Sequence, residues 1–168
     1  KFIERYHLTP PVETVETAVA EADSSYTVTV ETPTTDDDAA RLLALWRGCE
    51  TVALYALPDL SVLCVECEVD EEHGLTAILR PDRFGGDWES LLRALFSGDI
   101  AKVSHNVKDL HRALLQQGIT GDGILFDTAL AAYLLDATAG SYDLARLFVS
   151  YYNVELPAPL HLEPDAFS

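Results

Sequence analysis

Apolar positions recur along this chain with two different periods, and the changes of period fall at prolines, glycines and acidic clusters. Tyr26 to Val30 alternates as a short strand. Asp36, Asp37 and Asp38 then precede AARLLALWRG, whose apolar residues repeat at helical spacing and which stops at Gly48. Acidic side chains at a helix start complement the macrodipole, so the aspartate run reads as capping rather than as a metal cluster. Three strand-like runs follow, Thr51 to Leu57, Ser61 to Val69 and Gly74 to Leu79, separated by the short polar breaks Pro58-Asp59 and Asp70 to His73. Such spacing favours sequential antiparallel pairing. Beyond them the pattern predicts a helix over Asp87 to Phe96, a strand over Ile100 to Ser104 and a helix over Val107 to Gln117. A short strand within Gly121 to Phe126 and helices over Thr128 to Leu135 and Tyr142 to Tyr151 complete the series. A meander of three strands followed by alternating helices and strands indicates an α/β domain with a mixed sheet.

The flanks lack this periodicity. Residues 1–24, interrupted by Pro10 and Pro11, read as a linker or lead-in; residues 25–152 form the domain; residues 153–168, with Pro157, Pro159 and Pro164, read as a tail. A length of 168 residues with 48% hydrophobic content suits one domain with a proper core. No stretch approaches the roughly 20 apolar residues that span a bilayer, and KFIERYHLTPP has no apolar signal-peptide core. A soluble cytoplasmic protein is therefore expected. Three cysteines, Cys49, Cys64 and Cys67, supply no disulfide framework and suit a reducing compartment.

Charge changes the functional picture most. Twenty-eight acidic against 11 basic residues give a net charge of -17. Non-specific affinity for nucleic acid comes largely from cations displacing phosphate counterions, so this surface repels DNA at long range. The nearest candidate for a local basic groove is Lys102, Lys108 and Arg112, of which Lys108 and Arg112 are four apart on one helix.

The stretch from Lys102 to Tyr151 carries the specific signal. KVSHNVKDLHRALLQQGI presents a lysine-bearing strand, an Asn-x-Lys helix start and a Gly-Ile turn; GILFDTALAAYLL follows with a Phe-Asp-Thr helix start and a Leu-Ala-rich helix. In this order these features resemble the proofreading 3′-5′ exonuclease domain of bacterial DNA polymerase I, strongly over 102–151 and weakly from 26 onward. The resemblance implies a ribonuclease-H-like fold: a mixed sheet of three antiparallel meander strands plus a parallel strand, flanked by helices. It also implies two divalent metals held by carboxylates, which activate water and stabilise the leaving oxygen.

Those carboxylates are absent from the positions where the resemblance places them. An Asp-x-Glu pair on the first meander strand would share one face; Tyr55 and Leu57 occupy its positions. An aspartate is expected four residues after Asn106, where the chain has Leu110. Asp109 is adjacent, but one residue rotates a helical side chain by about 100°. Leu110 also lines up with Val107 and Leu114 as a buried stripe. A third motif of the Tyr-x-x-x-Asp type would lie further along; Tyr151, Tyr152 and the residues after them do not reproduce it. The expectation is no catalytic residue and no metal ligand in this domain.

The motif residues that remain have structural readings: Asn106 as a helix N-cap with Asp109 at N3, and Asp127 as the cap of the helix starting at Thr128. His105, Asn106, Lys108 and Arg112 are the candidates for residual nucleic-acid contact. Cys64-x-x-Cys67 has metal-site spacing, but residues three apart on a strand face opposite ways. The resemblance thus implies a vestigial exonuclease domain acting as a scaffold within a DNA polymerase. Its partner would be the polymerase domain of the same polypeptide, DNA would be reached through the parent enzyme, and magnesium would serve that enzyme while this domain takes no cofactor. Two alternatives stand beside it: an active ribonuclease-D-like exonuclease whose carboxylate cluster includes Asp109, and a free-standing acidic module that binds a basic partner.

Overall fold

The computed structural model describes residues 26–153; the lead-in and nearly all of the tail lie outside them. Within these residues the chain runs β1 (Thr27–Glu31), α1 (Asp36–Gly48), β2 (Val52–Ala56), β3 (Leu63–Glu68), β4 (His73–Leu79), α2 (Trp88–Leu95), β5 (Lys102–Ser104), α3 (Val107–Gln116), β6 (Ile124–Asp127), α4 (Thr128–Leu135) and α5 (Leu144–Tyr152). The strands form one six-stranded sheet in the order β1-β4-β3-β2-β5-β6. β2, β3 and β4 pair antiparallel, as the short polar breaks between them require. β5 runs parallel to β2 on one side and to β6 on the other. β1 adds to the far edge parallel to β4, a pairing that no local turn signal announces.

Alternation along the strands places the core. Val52 and Leu54 of β2, Leu63, Val65 and Cys67 of β3, and Ala77 and Leu79 of β4 are buried together with Leu42 and Trp46 of α1, Leu91, Leu92 and Leu95 of α2, and Leu110 and Leu114 of α3. Tyr55, Glu66 and Glu68 are exposed on the opposite pleat positions. Cys64 is half-buried and Cys67 buried, on opposite faces of β3.

The acidic first turn of α1 holds the helix starts together. Thr35 and Asp38 form a reciprocal capping box, with the Asp38 amide donating to Thr35 Oγ1 at 3.2 Å and the Thr35 amide donating to the Asp38 carboxylate at 3.1 Å. Asp36 instead accepts the amide of Asp87, the N-cap residue of α2, at 2.9 Å. A Cβ at Gly86 would collide with the Asp36 carboxylate and push it out of this position.

Candidate functional site

Because β2 and β5 are parallel, their carboxyl ends lie at the same sheet edge, the usual place for a crevice in α/β folds. A cleft of about 330 Å³ opens there. Tyr55 and Ala56 come from β2, Ser104 and His105 from the end of β5, Asn106, Asp109 and Leu110 from the start of α3, and Asp143 and Leu144 from the start of α5.

Ser104, His105, Asn106, Asp109 and Asp143 at this rim already hold hydrogen bonds. Ser104 is buried and its hydroxyl donates to the Leu54 carbonyl at 2.8 Å, tying β5 to β2 below the cleft. His105 Nδ1 lies 2.8 Å from Thr128 Oγ1. Asp109 accepts from the Asn106 amide group at 2.7 Å on one oxygen and from the Arg112 guanidinium at 3.1 Å on the other. Asp143 accepts from the Ser141 hydroxyl.

Asn106 stands at the N-cap position of α3, but its conformation is left-handed, at φ 55 and ψ 53, and its side chain caps nothing. The expected cap is therefore corrected. The amide that would have accepted a helix N–H has turned to donate to Asp109. Asp127 takes over from the next strand: its carboxylate accepts the amides of Asn106 at 3.0 Å and Val107 at 2.9 Å. The same carboxylate accepts Ala129 at 2.9 Å and Leu130 at 3.3 Å, so one side chain caps α3 and α4 together. The expected capping of α4 by Asp127 is present, and the second cap extends it.

Lys102 is withdrawn from the candidate basic groove. It is 0% exposed, donating to the carbonyls of Ile100 at 2.5 Å and Ser97 at 3.1 Å, with its ammonium 5.8 Å from the centre of the Phe96 ring. Burial pulls its pKa down to about 8, against the attraction of Asp99 and Asp122. Gly123 closes over it with φ +75, and a Cβ there would collide with the Ile100 carbonyl. Lys108 and Arg112 are exposed on α3, but neither lines the cleft, and Arg112 is paired with Asp109.

Residues 77–156 match the family model described as DNA polymerase I, ribonuclease H-like domain. Over that stretch, just under half of its length, the chain is similar to the ribonuclease H-like domain of DNA polymerase I. Over 68 residues, 40% of its length, it is 31% identical to the DNA polymerase I of Caldicellulosiruptor bescii, of which it spans only 8%. The fold agrees. A structure of the POL domain of Pol1 from M. smegmatis in complex with DNA primer-template and dNTP superposes with a TM-score of 0.62 at 23% identity, covering 77% of this chain and 23% of that one. Escherichia coli RNase D superposes with a TM-score of 0.59 at 24% identity over 77% of this chain and 35% of its own. The Aedes aegypti Nibbler EXO domain gives 0.58 at 12% identity over 82% and 78%. The mixed sheet and its flanking helices are thus a ribonuclease H-like exonuclease fold.

Tyr55 and Leu110, which stand where the resemblance puts metal-binding carboxylates, line the same cleft. Leu57 does not line it. β2 ends at Ala56, and Leu57 enters the Pro58 turn with its amide bonded to the Val62 carbonyl at 2.9 Å. Hard divalent ions need several oxygen ligands. The cleft offers the phenol of Tyr55, which is 48% exposed, the alkyl side chain of Leu110, which is 6% exposed, and two aspartates already held by other donors. Among the described residues no three His, Cys, Asp or Glu side chains gather closely enough to hold an ion. This donor set does not fit the two-metal centre that the resemblance implies. Asp143 escaped sequence reasoning because it reads as an ordinary residue before a helix; only the packing of α5 brings it to the cleft.

Proposed function

We propose that this chain is the 3′-5′ exonuclease-like part of a longer bacterial DNA polymerase I, and that it has lost hydrolytic activity and serves as a scaffold for the polymerase domain of the same polypeptide. The observation that carries this reading is the state of the cleft. A phenol and a leucine occupy the expected ligand positions, and the neighbouring Asp109 is engaged on both oxygens by Asn106 and Arg112. The charge of -17 supports the same view, since an approaching DNA strand meets repulsion and, among the described residues, no lysine or arginine lines the cleft. On this reading residues 1–24 lead in from a preceding region, 25–152 form the domain and 153–168 run toward the polymerase. DNA and magnesium belong to the polymerase part, which works in the cytoplasm; His105, Asn106, Lys108 and Arg112 retain at most weak nucleic-acid contact. Among the described residues no helix is long and apolar enough to cross a membrane.

A second reading, an active ribonuclease-D-like exonuclease, draws support from the presence of both Asp109 and Asp143 at the cleft. One assay separates the two: the purified chain is incubated with 3′-labelled single-stranded DNA and with RNA, in magnesium and in manganese. The scaffold reading expects no trimming of either. Metal-dependent trimming that disappears in Asp109→Ala establishes the active reading instead.

A further inference from the structure

At the opposite edge of the sheet from the cleft, where β2 begins, a second hollow of about 510 Å³ lies between the end of α1 and the end of β3. Cys49, Glu50, Glu66, Cys67 and Glu68 are among its lining residues. Cys49 terminates α1, with its Sγ 3.4 Å from the Leu45 carbonyl and 4.0 Å from the carbonyl of Glu68, the residue that follows Cys67 in β3. Cys67 points to the core and is 3% exposed, whereas Cys49 is half-buried and open to the hollow. Cys64 lies on the other face of β3 and does not line the hollow.

We propose that Cys49 and Cys67 form a thiol pair that closes into a disulfide on reaction with a small neutral or cationic disulfide, bolting the end of α1 to β3. The roles of the two sulfurs follow from their surroundings. Cys49, reached from solvent, attacks as thiolate one sulfur of the reagent; the reagent's S–S bond breaks, one thiolate leaves, and a mixed disulfide forms at Cys49. Cys67 then loses its proton to solvent and attacks Cys49 Sγ, expelling the second reagent thiolate. Two protein thiols and one reagent disulfide thus become one protein disulfide and two reagent thiols. Glu50, Glu66 and Glu68 surround the approach, so an anionic reagent is repelled and a cationic one favoured. Burial, reinforced by the neighbouring Cys49, pushes the Cys67 thiol up to about 12. In the mixed disulfide the Cys49 contribution is gone, but burial still holds Cys67 protonated, so the second step is the slow one and quickens as the pH rises, in proportion to thiolate.

The test treats the purified chain with cystamine, which is cationic, and with glutathione disulfide, which is anionic, followed by intact-mass and peptide-mapping measurements. Wild type and Cys64→Ser are expected to pass through a Cys49 adduct and end two hydrogens lighter, with peptides 49 and 67 linked, faster with cystamine and faster as the pH is raised. Cys67→Ser should stop at the Cys49 adduct, and Cys49→Ser should give no intramolecular bond. Oxidised wild type should melt at a higher temperature than the reduced protein, a shift missing in Cys67→Ser. A persistent Cys49 adduct in wild type between about pH 7 and about pH 10, a link that uses Cys64, or an oxidised form that melts no higher than the reduced one each overturns the proposal.

Discussion

The part of the molecule built from α1, α2 and the β2-β3-β4 meander and the part built from β6, α4 and α5 are both rich in apolar residues, yet only the first buries them. Leu42, Trp46, Leu92, Leu95 and Phe96 are essentially inaccessible to solvent, even though the Trp46 indole N–H finds no acceptor among the described residues. In α4, by contrast, only Ala132 is buried, and α5 buries no residue at all. Leu134 is 71% exposed and Tyr152 is 66% exposed. The difference is one of geometry. α1 and α2 present one apolar stripe to a sheet face, whereas α4, TALAAYLL, is apolar all round and cannot be satisfied from a single side. Between α4 and α5 runs an apolar groove of about 410 Å³ that includes Phe126, Leu135, Leu147 and Phe148. Apolar sequence is therefore not evidence of a completed core, and the cleft lies on the seam between the closed part and the open one.

The comparison breaks first at Leu92. Leu92→Ala removes a side chain with 0% exposure and is expected to cost about 2–5 kcal/mol in chemical denaturation; a loss below about 1 kcal/mol would mean that the α2 core is not packed as described. The next effect tests the seam. Asp127→Ala removes caps from α3 and α4 at once, with an expected loss of about 2 kcal/mol, twice that of a single cap. Hydrogen exchange should show both helix starts loosening together, and loosening confined to α4 would refute the shared cap.

Lys102 gives an effect that depends on pH. Its folded pKa of about 8 lies below its ordinary 10.5, so between these values the unfolded chain binds more protons and stability rises with pH. Cys67, raised from 9.0 to about 12, acts in the opposite sense: across that window the folded chain retains the proton and stability falls. The quantity to measure is therefore the stability of wild type minus that of Lys102→Met, which should climb from about pH 8 to about pH 10.5. A flat difference would place the ammonium in water. The smallest effect is expected at Leu134, where Leu134→Ala should change stability by less than about 0.5 kcal/mol; a large loss would show that the open part is covered after all.

Most of the sheet was legible because its signals are local. The alternation in VALYA, LCVECE and HGLTAIL, with short polar breaks, specified the meander, and the same alternation separated Cys64 from Cys67. The aspartates were legible as part of a helix start for a similar reason, since Thr35 and Asp38 of the capping box are three residues apart. What escaped depends on groups distant in sequence. The α3 cap comes from Asp127, 21 residues beyond Asn106, and β1 pairs with β4 across the intervening meander. Lys102 reads as a surface cation until the Ile100 and Ser97 carbonyls fold over it. At the cleft, spacing from Asn106 brought attention to Leu110, but the turn at Pro58 that carries Leu57 away from Tyr55 and the arrival of Asp143 with α5 are properties of the assembled fold.

The central claim is that the cleft cannot hold a catalytic metal, and paramagnetic manganese tests it residue by residue. Titrated into isotopically labelled protein, manganese should broaden amide signals weakly and diffusely across the acidic surface, with no preference for Tyr55, Asp109, Leu110 or Asp143 and no change in pattern in Asp109→Ala. Broadening concentrated at those four residues at low manganese, and abolished by Asp109→Ala, would contradict the account and give the domain back a metal centre.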